Sequence, residues 1–369
     1  MARGACPPLG ARPVSHVSLA ARVSSVILPA ERRSADRRRS DRRDHPRVGA
    51  WWRRRGAWLV AAVATLASVP LLLRALWPAE VAPMARTERH TVVVGGRTRS
   101  YLLHHPAGWD AEQPLPLVLA FHGHRGDART VRYESRLDDA ADRARMLVAY
   151  PDGTGPLDGW PLIGGHGALT WNVGPCCAPA STERVDDEAF ASAIVRQLAE
   201  EGAVDARRVY ATGFSIGGTL ALKLACDRAS EFAAVADVEG TMPDARCTPT
   251  SGVSVLLVRG SDDDELRADL AENRARAGHR FADSMRGALR FWAARDGCAG
   301  PLTVARRRAW TAHEATACAA GLAAGLLVVP GNEHAWPGGR RPWLLAPRPA
   351  PDVPLSDSVL AFFRAHAKG

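Results

Sequence analysis

The segment Gly213–Gly218, which reads Gly-Phe-Ser-Ile-Gly-Gly, places a serine between two glycines in the arrangement Gly-x-Ser-x-Gly. A β-rich run (208–212) precedes it, and a helical pattern (217–227) follows. A serine forced into so tight a strand-to-helix turn needs neighbours without Cβ atoms, because side chains there would collide with the strand and the helix. The pattern predicts that Ser215 is a nucleophile at a helix N-terminus, where the helix dipole favours developing negative charge. The alternative is a glycine-rich turn that only packs a helix on a strand.

A serine hydroxyl is a poor nucleophile at neutral pH, so it needs a base, and the base needs an orienting carboxylate. In this type of turn the chain order is Ser, then Asp or Glu, then His. His334 follows the apolar run 326–329 through a Pro-Gly-Asn turn, which predicts that it lies at the carboxyl end of a strand. The other late histidines lie on predicted helices or in irregular charged stretches: His279, His313 and His366.

The carboxylate should follow the apolar run 253–258, which leads into Asp262, Asp263 and Asp264. Spacing alone does not separate the three. A solvated acidic turn is the alternative interpretation for two of them.

Acyl transfer also needs hydrogen-bond donors for an oxyanion. One predicted donor is the backbone N–H of Ile216, directly after the nucleophile. The second is the backbone N–H of His124, in the loop after the apolar run 115–121. A metal site at His122 and His124 is not favoured because no third ligand is evident, and no other metal site is predicted.

The elements that would position these residues alternate between strand and helix. Strands are predicted at 91–94, 99–103, 115–121, 146–150, 209–213, 233–238, 253–258 and 325–329, and helices at 130–144, 186–200, 217–227, 281–295 and from Ser356. This alternation predicts an α/β protein whose mostly parallel central sheet is covered by helices on both faces. Chemistry in such sheets gathers at the carboxyl ends of the strands.

The net charge of +9 belongs to the N-terminal part of the chain, since residues 1–55 contain 14 Arg and only 4 acidic residues. The remainder is close to neutral, which argues against nucleic-acid binding. The predicted organisation is a disordered Arg-rich tail (1–55), a transmembrane anchor or signal segment (56–77), a linker (78–88) and a catalytic domain (89–369). The uncharged run 56–73 favours an uncleaved membrane anchor over a signal peptide, with the catalytic domain outside the cytoplasm.

Cysteine usage agrees with export. Apart from Cys6 there are six cysteines, an even count that suggests disulfides and allows 15 pairings. Closeness in sequence favours Cys226 with Cys247 and Cys298 with Cys318. Buried free thiols are the alternative.

Several stretches together resemble the secreted esterase family that includes polyhydroxybutyrate depolymerase-like, feruloyl and acetyl-xylan esterases, within the α/β-hydrolase superfamily. They lie between about residues 98 and 366: residues 99–103, 114–118 with 122–123, 150–153, 171–172 with 176–177, 185–187, 208–215 and 334–339. The resemblance implies Asp263 as the catalytic acid, although Arg259 stands where the family usually has His. It also places Trp171, Asn172 and Trp336 near the site, either as substrate contacts or as buried packing. Asp186 and Asp187 are expected to cap a helix.

These observations predict a serine carboxylic-ester hydrolase that acts on short-chain or aryl esters of feruloyl, acetyl or hydroxyalkanoate type through an acyl-enzyme. No cofactor is expected, and the protein is expected to be a monomer. The alternatives are a serine peptidase on the same fold and a non-catalytic scaffold that binds the cell envelope.

Overall fold

The computed structural model describes residues 82–110, 113–155, 168–174, 176–242, 247–264, 285–319 and 321–368, with short stretches between Trp58 and Ala79. The predicted tail (1–55) lies outside the described residues, and so does part of the predicted anchor (56–73). Among the described residues, no helix is both long and apolar enough to cross a membrane.

One mixed sheet organises the described residues. Its ten strands are β1 (Thr87–Val94), β2 (Arg97–His104), β3 (Leu115–Phe121), β4 (Leu147–Pro151), β5 (Val204–Phe214), β6 (Ala234–Val238), β7 (Ser254–Gly260), β8 (Thr303–Arg306), β9 (Thr311–Glu314) and β10 (Ala324–Val329). They lie in the order β1-β2-β4-β3-β5-β6-β7-β10-β9-β8. The six central strands, β4, β3, β5, β6, β7 and β10, are parallel to one another. The two strands at each edge are antiparallel, β1 and β2 on one side and β9 and β8 on the other.

Helices cover both faces of this sheet. Those described are α1 (Ala128–Ser135), α2 (Leu137–Ala144), α3 (Asp187–Glu200), α4 (Ile216–Asp227), α5 (Met285–Arg295) and α6 (Leu355–Ala365). Alternate residues of the central strands enter two separate hydrophobic layers. In β3, for example, Leu117 and Leu119 pack on one face, and Val118 and Ala120 pack on the other. This burial on both faces explains why the parallel strands read as continuous apolar runs.

The predicted strands and helices are largely confirmed, with two differences. The helix predicted over 130–144 is two helices, because Arg136 has a positive φ of 56° and ends α1. The Ser135 hydroxyl accepts the N–H of Leu137, where α2 begins. The hairpin of β8 and β9 is absent from the prediction, because each strand has only four residues, too few to show a clear apolar alternation, and β8 forms the edge of the sheet.

Three disulfides link the six cysteines. The predicted pairs Cys226–Cys247 and Cys298–Cys318 are confirmed, and Cys176 is joined to Cys177. The Cys298–Cys318 bond encloses the β8–β9 hairpin, so it ties the ends of this edge segment together. Bonds of this kind stabilise a fold mainly by restricting the unfolded chain.

Candidate active site

Ser215 lies in the turn between β5 and α4, at the centre of the sheet. Its backbone has φ +55° and ψ −123°, a conformation that residues with a side chain rarely adopt. The N–H of Ser215 donates to the carbonyl of Val238 at the end of β6 (2.8 Å), and its own carbonyl accepts from the N–H of Thr219 (3.0 Å). The strained turn is therefore held from both sides.

The two glycines of the motif are required by close backbone contacts. A Cβ on Gly213 would lie 2.3 Å from the carbonyl carbon and oxygen of Gly217, and a Cβ on Gly217 would lie 2.3 Å from the carbonyl oxygen of Phe121. These neighbours are backbone atoms, so they cannot move aside as a flexible side chain could. The sequence pattern thus reflects the close approach of α4 to β5 and β3.

We predict that Gly217→Ala destabilises the fold by about 3 kcal/mol or more, because overpacking against a rigid neighbour costs at least as much as overpacking in a core. Gly325→Ala in β10 is the matched control, since its Cβ would make only ordinary contacts, 3.4 Å from the tip of Leu256 and 3.9 Å from the carbonyl oxygen of His313. Chemical denaturation of both variants measures the difference. Equal stability of the two variants would contradict the steric explanation of the motif.

His334 lies in the loop that follows β10, and buried hydrogen bonds of Asn332 hold this loop. The Asn332 side chain is fully buried. Its amide nitrogen donates to the carbonyl of Ala335 (2.8 Å), and its amide oxygen accepts from the N–H of Ala350 (2.7 Å). The loop that carries His334 is therefore fixed at the carboxyl end of a central strand.

The structure distinguishes the three aspartates that follow β7. Asp263 is 1% exposed, whereas Asp262 and Asp264 are exposed. The Asp262 side chain accepts a hydrogen bond from the Ser261 hydroxyl (2.8 Å). The N–H of Asp262 donates to the carbonyl of Asn332 (3.0 Å), which joins this loop to the loop of His334.

Ser215, His334 and Asp263 meet in one hydrogen-bonded line. The distance from Ser215 Oγ to His334 Nε2 is 2.9 Å, and the distance from His334 Nδ1 to Asp263 Oδ2 is 2.7 Å. The three residues follow β5, β10 and β7, which run parallel, so their carboxyl ends share one edge of the sheet. Such a line can move a proton from a serine hydroxyl to an imidazole whose other nitrogen is held by a carboxylate.

The segments of the two predicted oxyanion donors lie beside Ser215. Ile216 is the first residue of α4. His124 lies in a turn closed by the N–H of Gly126 and the carbonyl of Gly123 (3.1 Å). Gly123 packs so closely on Phe214 that an added Cβ would lie 2.8 Å from its ring. The turn thus reaches the residue before the serine.

His122 is a buried structural residue. Its Nδ1 lies 2.8 Å from the carbonyl of Gly123, and its Nε2 accepts the N–H of Gly153 (3.0 Å). Burial lowers the pKa of this imidazole and keeps it neutral. Within the described ranges, no group of three or more His, Cys, Asp or Glu side chains is placed to hold a metal ion.

The residues considered as substrate contacts are mainly structural. Trp171 is fully buried and donates its indole N–H to the carbonyl of His122 (2.9 Å), and Trp336, which is 1% exposed, donates to the Ser356 hydroxyl (3.0 Å). Asn172 is partly exposed, and its amide donates to the carbonyl of Val185 (2.9 Å). Of the two alternatives left open by the sequence, burial favours packing for both tryptophans, because their rings lie in the two core layers.

The two aspartates at the start of α3 have different roles. The Asp186 side chain accepts the N–H of Ala189 (2.8 Å) and caps the helix, as predicted. Asp187 is instead buried, where it pairs with Arg99 (2.8 Å) and accepts the N–H of Asn172 (2.7 Å). Its expected capping role is corrected to a buried ion pair that joins β2 to α3.

Sequence reasoning missed a set of buried polar residues beneath the site. Arg259, which stands where His was expected, forms a buried ion pair with Asp237, and the Asp237 side chain also accepts the N–H of Gly240 (2.9 Å). Glu239 and Asn332 are hydrogen-bonded to each other (3.0 Å). Only Glu239 and Arg259 directly follow predicted strands, a position that they share with many loop residues, so little in the sequence signalled this set.

Fold and geometry together define an α/β-hydrolase. The family described as "Esterase PHB depolymerase" matches residues 99–277. The chain is 32% identical over 304 residues to "Putative esterase NocK" of Nocardia uniformis subsp. tsuyamanensis, covering 77% of this chain and 84% of that protein. It is 27% identical over 253 residues to "Feruloyl esterase B" of Piromyces equi, covering 66% of this chain and 44% of that protein.

A solved structure titled "Acetyl xylan esterase from Aspergillus awamori" is also similar, with a TM-score of 0.47 and 13% identity, over 67% of this chain and 94% of that one. The chain belongs to the Esterase PHB depolymerase family. It is a carboxylic-ester hydrolase.

Proposed function

We propose that Ser215, His334 and Asp263 are the catalytic triad of this hydrolase. Ser215 Oγ attacks the ester carbonyl while His334 Nε2 takes its proton. The same proton then passes to the leaving alcohol, and water hydrolyses the acyl-enzyme by the reverse sequence of proton transfers. Asp263 holds the imidazole in the tautomer that leaves Nε2 free to accept. The observation that carries the proposal is the line of 2.9 Å and 2.7 Å contacts that ends on a strained serine.

The proposed oxyanion donors are the backbone N–H groups of Ile216 and His124. The position of Ile216 at the start of α4 supports the first, since the N–H groups of a first helical turn point away from the helix and have no partner within it. The close packing of Gly123 on Phe214 supports the second. The proposed mechanism needs no cofactor, because proton transfer and charge stabilisation both come from the chain itself.

The proposed substrates are short-chain or aryl carboxylic esters, of the feruloyl, acetyl or hydroxyalkanoate type. Family membership and relatives named feruloyl esterase and bifunctional acetylxylan esterase/xylanase support this class. The match to this chain spans 44% of the Piromyces feruloyl esterase and 20% of the acetylxylan esterase/xylanase.

We also propose that the catalytic domain works outside the cytoplasm. The three disulfides support this, since such bonds persist mainly in oxidising compartments. The role of residues 56–73 as an anchor stays a prediction.

A substrate panel tests the proposed function. The purified protein is assayed with p-nitrophenyl acetate, butyrate and octanoate, with methyl ferulate, and with the p-nitroanilide that matches each p-nitrophenyl ester. We expect turnover of the esters and no measurable cleavage of the matched anilides, because this site is proposed to expel an alcohol. Cleavage of the anilides would favour a peptidase. No turnover of any substrate would favour a non-catalytic scaffold.

A further inference from the structure

Glu239 is a buried carboxyl group between the loops that carry Asp263 and His334. It directly follows β6, it is 1% exposed, and its φ is +56°. Its N–H donates to the carbonyl of Val258 in β7 (3.0 Å). The backbone is thus held in a conformation that non-glycine residues seldom adopt, and this places a carboxyl group inside the site.

The two oxygens of this carboxyl group have different surroundings. Oε1 accepts a hydrogen bond from the amide nitrogen of Asn332 (3.0 Å). Oε2 is buried and makes no hydrogen bond of normal geometry to a described residue. The N–H of Gly260 lies near the carboxyl group and partly offsets the rise of its pKa. The Glu239 carboxyl group also lies within hydrogen-bond reach of the Asp263 carboxyl group. Two carboxylates cannot donate to each other, so this contact is satisfied only if one of them carries a proton.

The charged groups around Glu239 indicate which carboxyl group holds that proton. Arg259 is the cation that acts on Glu239, but it is paired with Asp237. The second carboxylate, Asp263, accepts from the imidazole of His334. Asp263 is therefore stabilised as an anion, whereas Glu239 has no cation of its own. Burial is the largest cause of the raised pKa of Glu239, which lies well above its ordinary value, and the negative charge of Asp263 raises it further.

We propose that Glu239 is a positioning residue that keeps its proton in the working enzyme and donates it in a hydrogen bond to Asp263. This proposal rests on the proposed triad. The donated bond holds the Asp263 carboxylate in place, while the bond from Asn332 couples Glu239 to the loop of His334. Glu239 therefore acts through Asp263 and does not touch substrate.

The protonated and ionised states predict different responses to substitution. Glu239→Gln keeps the volume, an acceptor for Asn332 and an N–H donor for Asp263. Glu239→Leu removes the donor without changing the charge of a protonated residue. Without this donor, Asp263 holds more negative charge and stabilises the imidazolium form of His334 more. The acidic limb of the pH profile of kcat/KM, which follows protonation of this imidazole, should therefore move to higher pH. If Glu239 were an anion, either substitution would remove a negative charge near the imidazolium and move this limb to lower pH.

The experiment records kcat/KM for p-nitrophenyl butyrate from pH 5 to 9 for the wild type, Glu239→Gln and Glu239→Leu, with exposed Glu200→Gln on α3 as control. Thermal unfolding of each variant checks the fold. We expect Glu239→Gln to stay within about threefold of wild type with its acidic limb unchanged. We expect Glu239→Leu to lose about tenfold in kcat with KM nearly constant, and its acidic limb to move upward by about half a pH unit or more. A downward shift in Glu239→Gln overturns the proposal even if Glu239→Leu does not fold.

A second readout separates this inference from the proposed function. The infrared difference spectrum between the wild type and Glu239→Gln at pH 7 should contain the carbonyl stretch of one protonated carboxylic acid, whether or not the protein turns over ester. A carboxylate band in its place would overturn the proposal for Glu239. An inactive wild type with the acid band present would overturn the triad and leave the proton on Glu239.

Discussion

Ser215→Ala is expected to reduce kcat for ester hydrolysis by about 10⁵- to 10⁶-fold, to the background left by binding and the oxyanion donors. The reason is chemical, since alanine cannot form the acyl-enzyme. The fold should persist, because the Ser215 side chain makes no capping hydrogen bond to α4 and its described side-chain contact is with His334. Steady-state kinetics with p-nitrophenyl butyrate and thermal unfolding measure the two effects.

Ser358→Ala in α6 is the matched control for this variant. Its hydroxyl donates only locally, to the carbonyl of Pro354 (2.8 Å), so activity and stability should both stay close to wild type. Substantial turnover by a folded Ser215→Ala protein would contradict the assignment of the nucleophile.

Asp263→Asn is expected to lower kcat by about 10³- to 10⁴-fold. Its amide nitrogen can face His334 Nδ1, which forces Nδ1 to accept and places the imidazole proton on Nε2. In that tautomer Nε2 cannot take the proton of Ser215. Because Asp263 Oδ2 lies 2.7 Å from Nδ1, the substitution changes this contact without changing side-chain size.

The neighbouring aspartates are the controls for Asp263→Asn. Asp262→Asn and Asp264→Asn change exposed side chains outside the described line of contacts, so each should stay within about threefold of wild type. A loss of activity in Asp262→Asn or Asp264→Asn that equals the loss in Asp263→Asn would show that the acid is wrongly assigned.

The positions of Ser215 and His334 could be predicted because their surroundings leave a strong local pattern. The backbone of β3 approaches position 217 so closely that only glycine fits there. The apolar run before His334 marks the strand that positions this residue. Spacing could not separate Asp262, Asp263 and Asp264, because they are neighbours and only burial distinguishes them. The resemblance to a family was needed to choose among them.

What could not be predicted depends on contacts between distant parts of the chain. The bond between Glu239 and Asn332 joins residues 93 positions apart, and neither position has a periodic pattern. The tryptophans were ambiguous for a similar reason, since a buried ring and a substrate-binding ring have the same residue type. The hairpin of β8 and β9 could not be predicted because each strand has only four residues, too few to show the apolar alternation that marks a half-buried strand.

Covalent labelling of the serine tests the central claim most directly. The protein is treated with a fluorophosphonate, and intact-mass spectrometry with peptide mapping then locates the adduct. We predict one adduct per chain, on Ser215, with none on Ser215→Ala and labelling slowed by orders of magnitude in His334→Ala. Full ester turnover with Ser215 unlabelled, or an adduct on another residue that abolishes activity, would contradict the account.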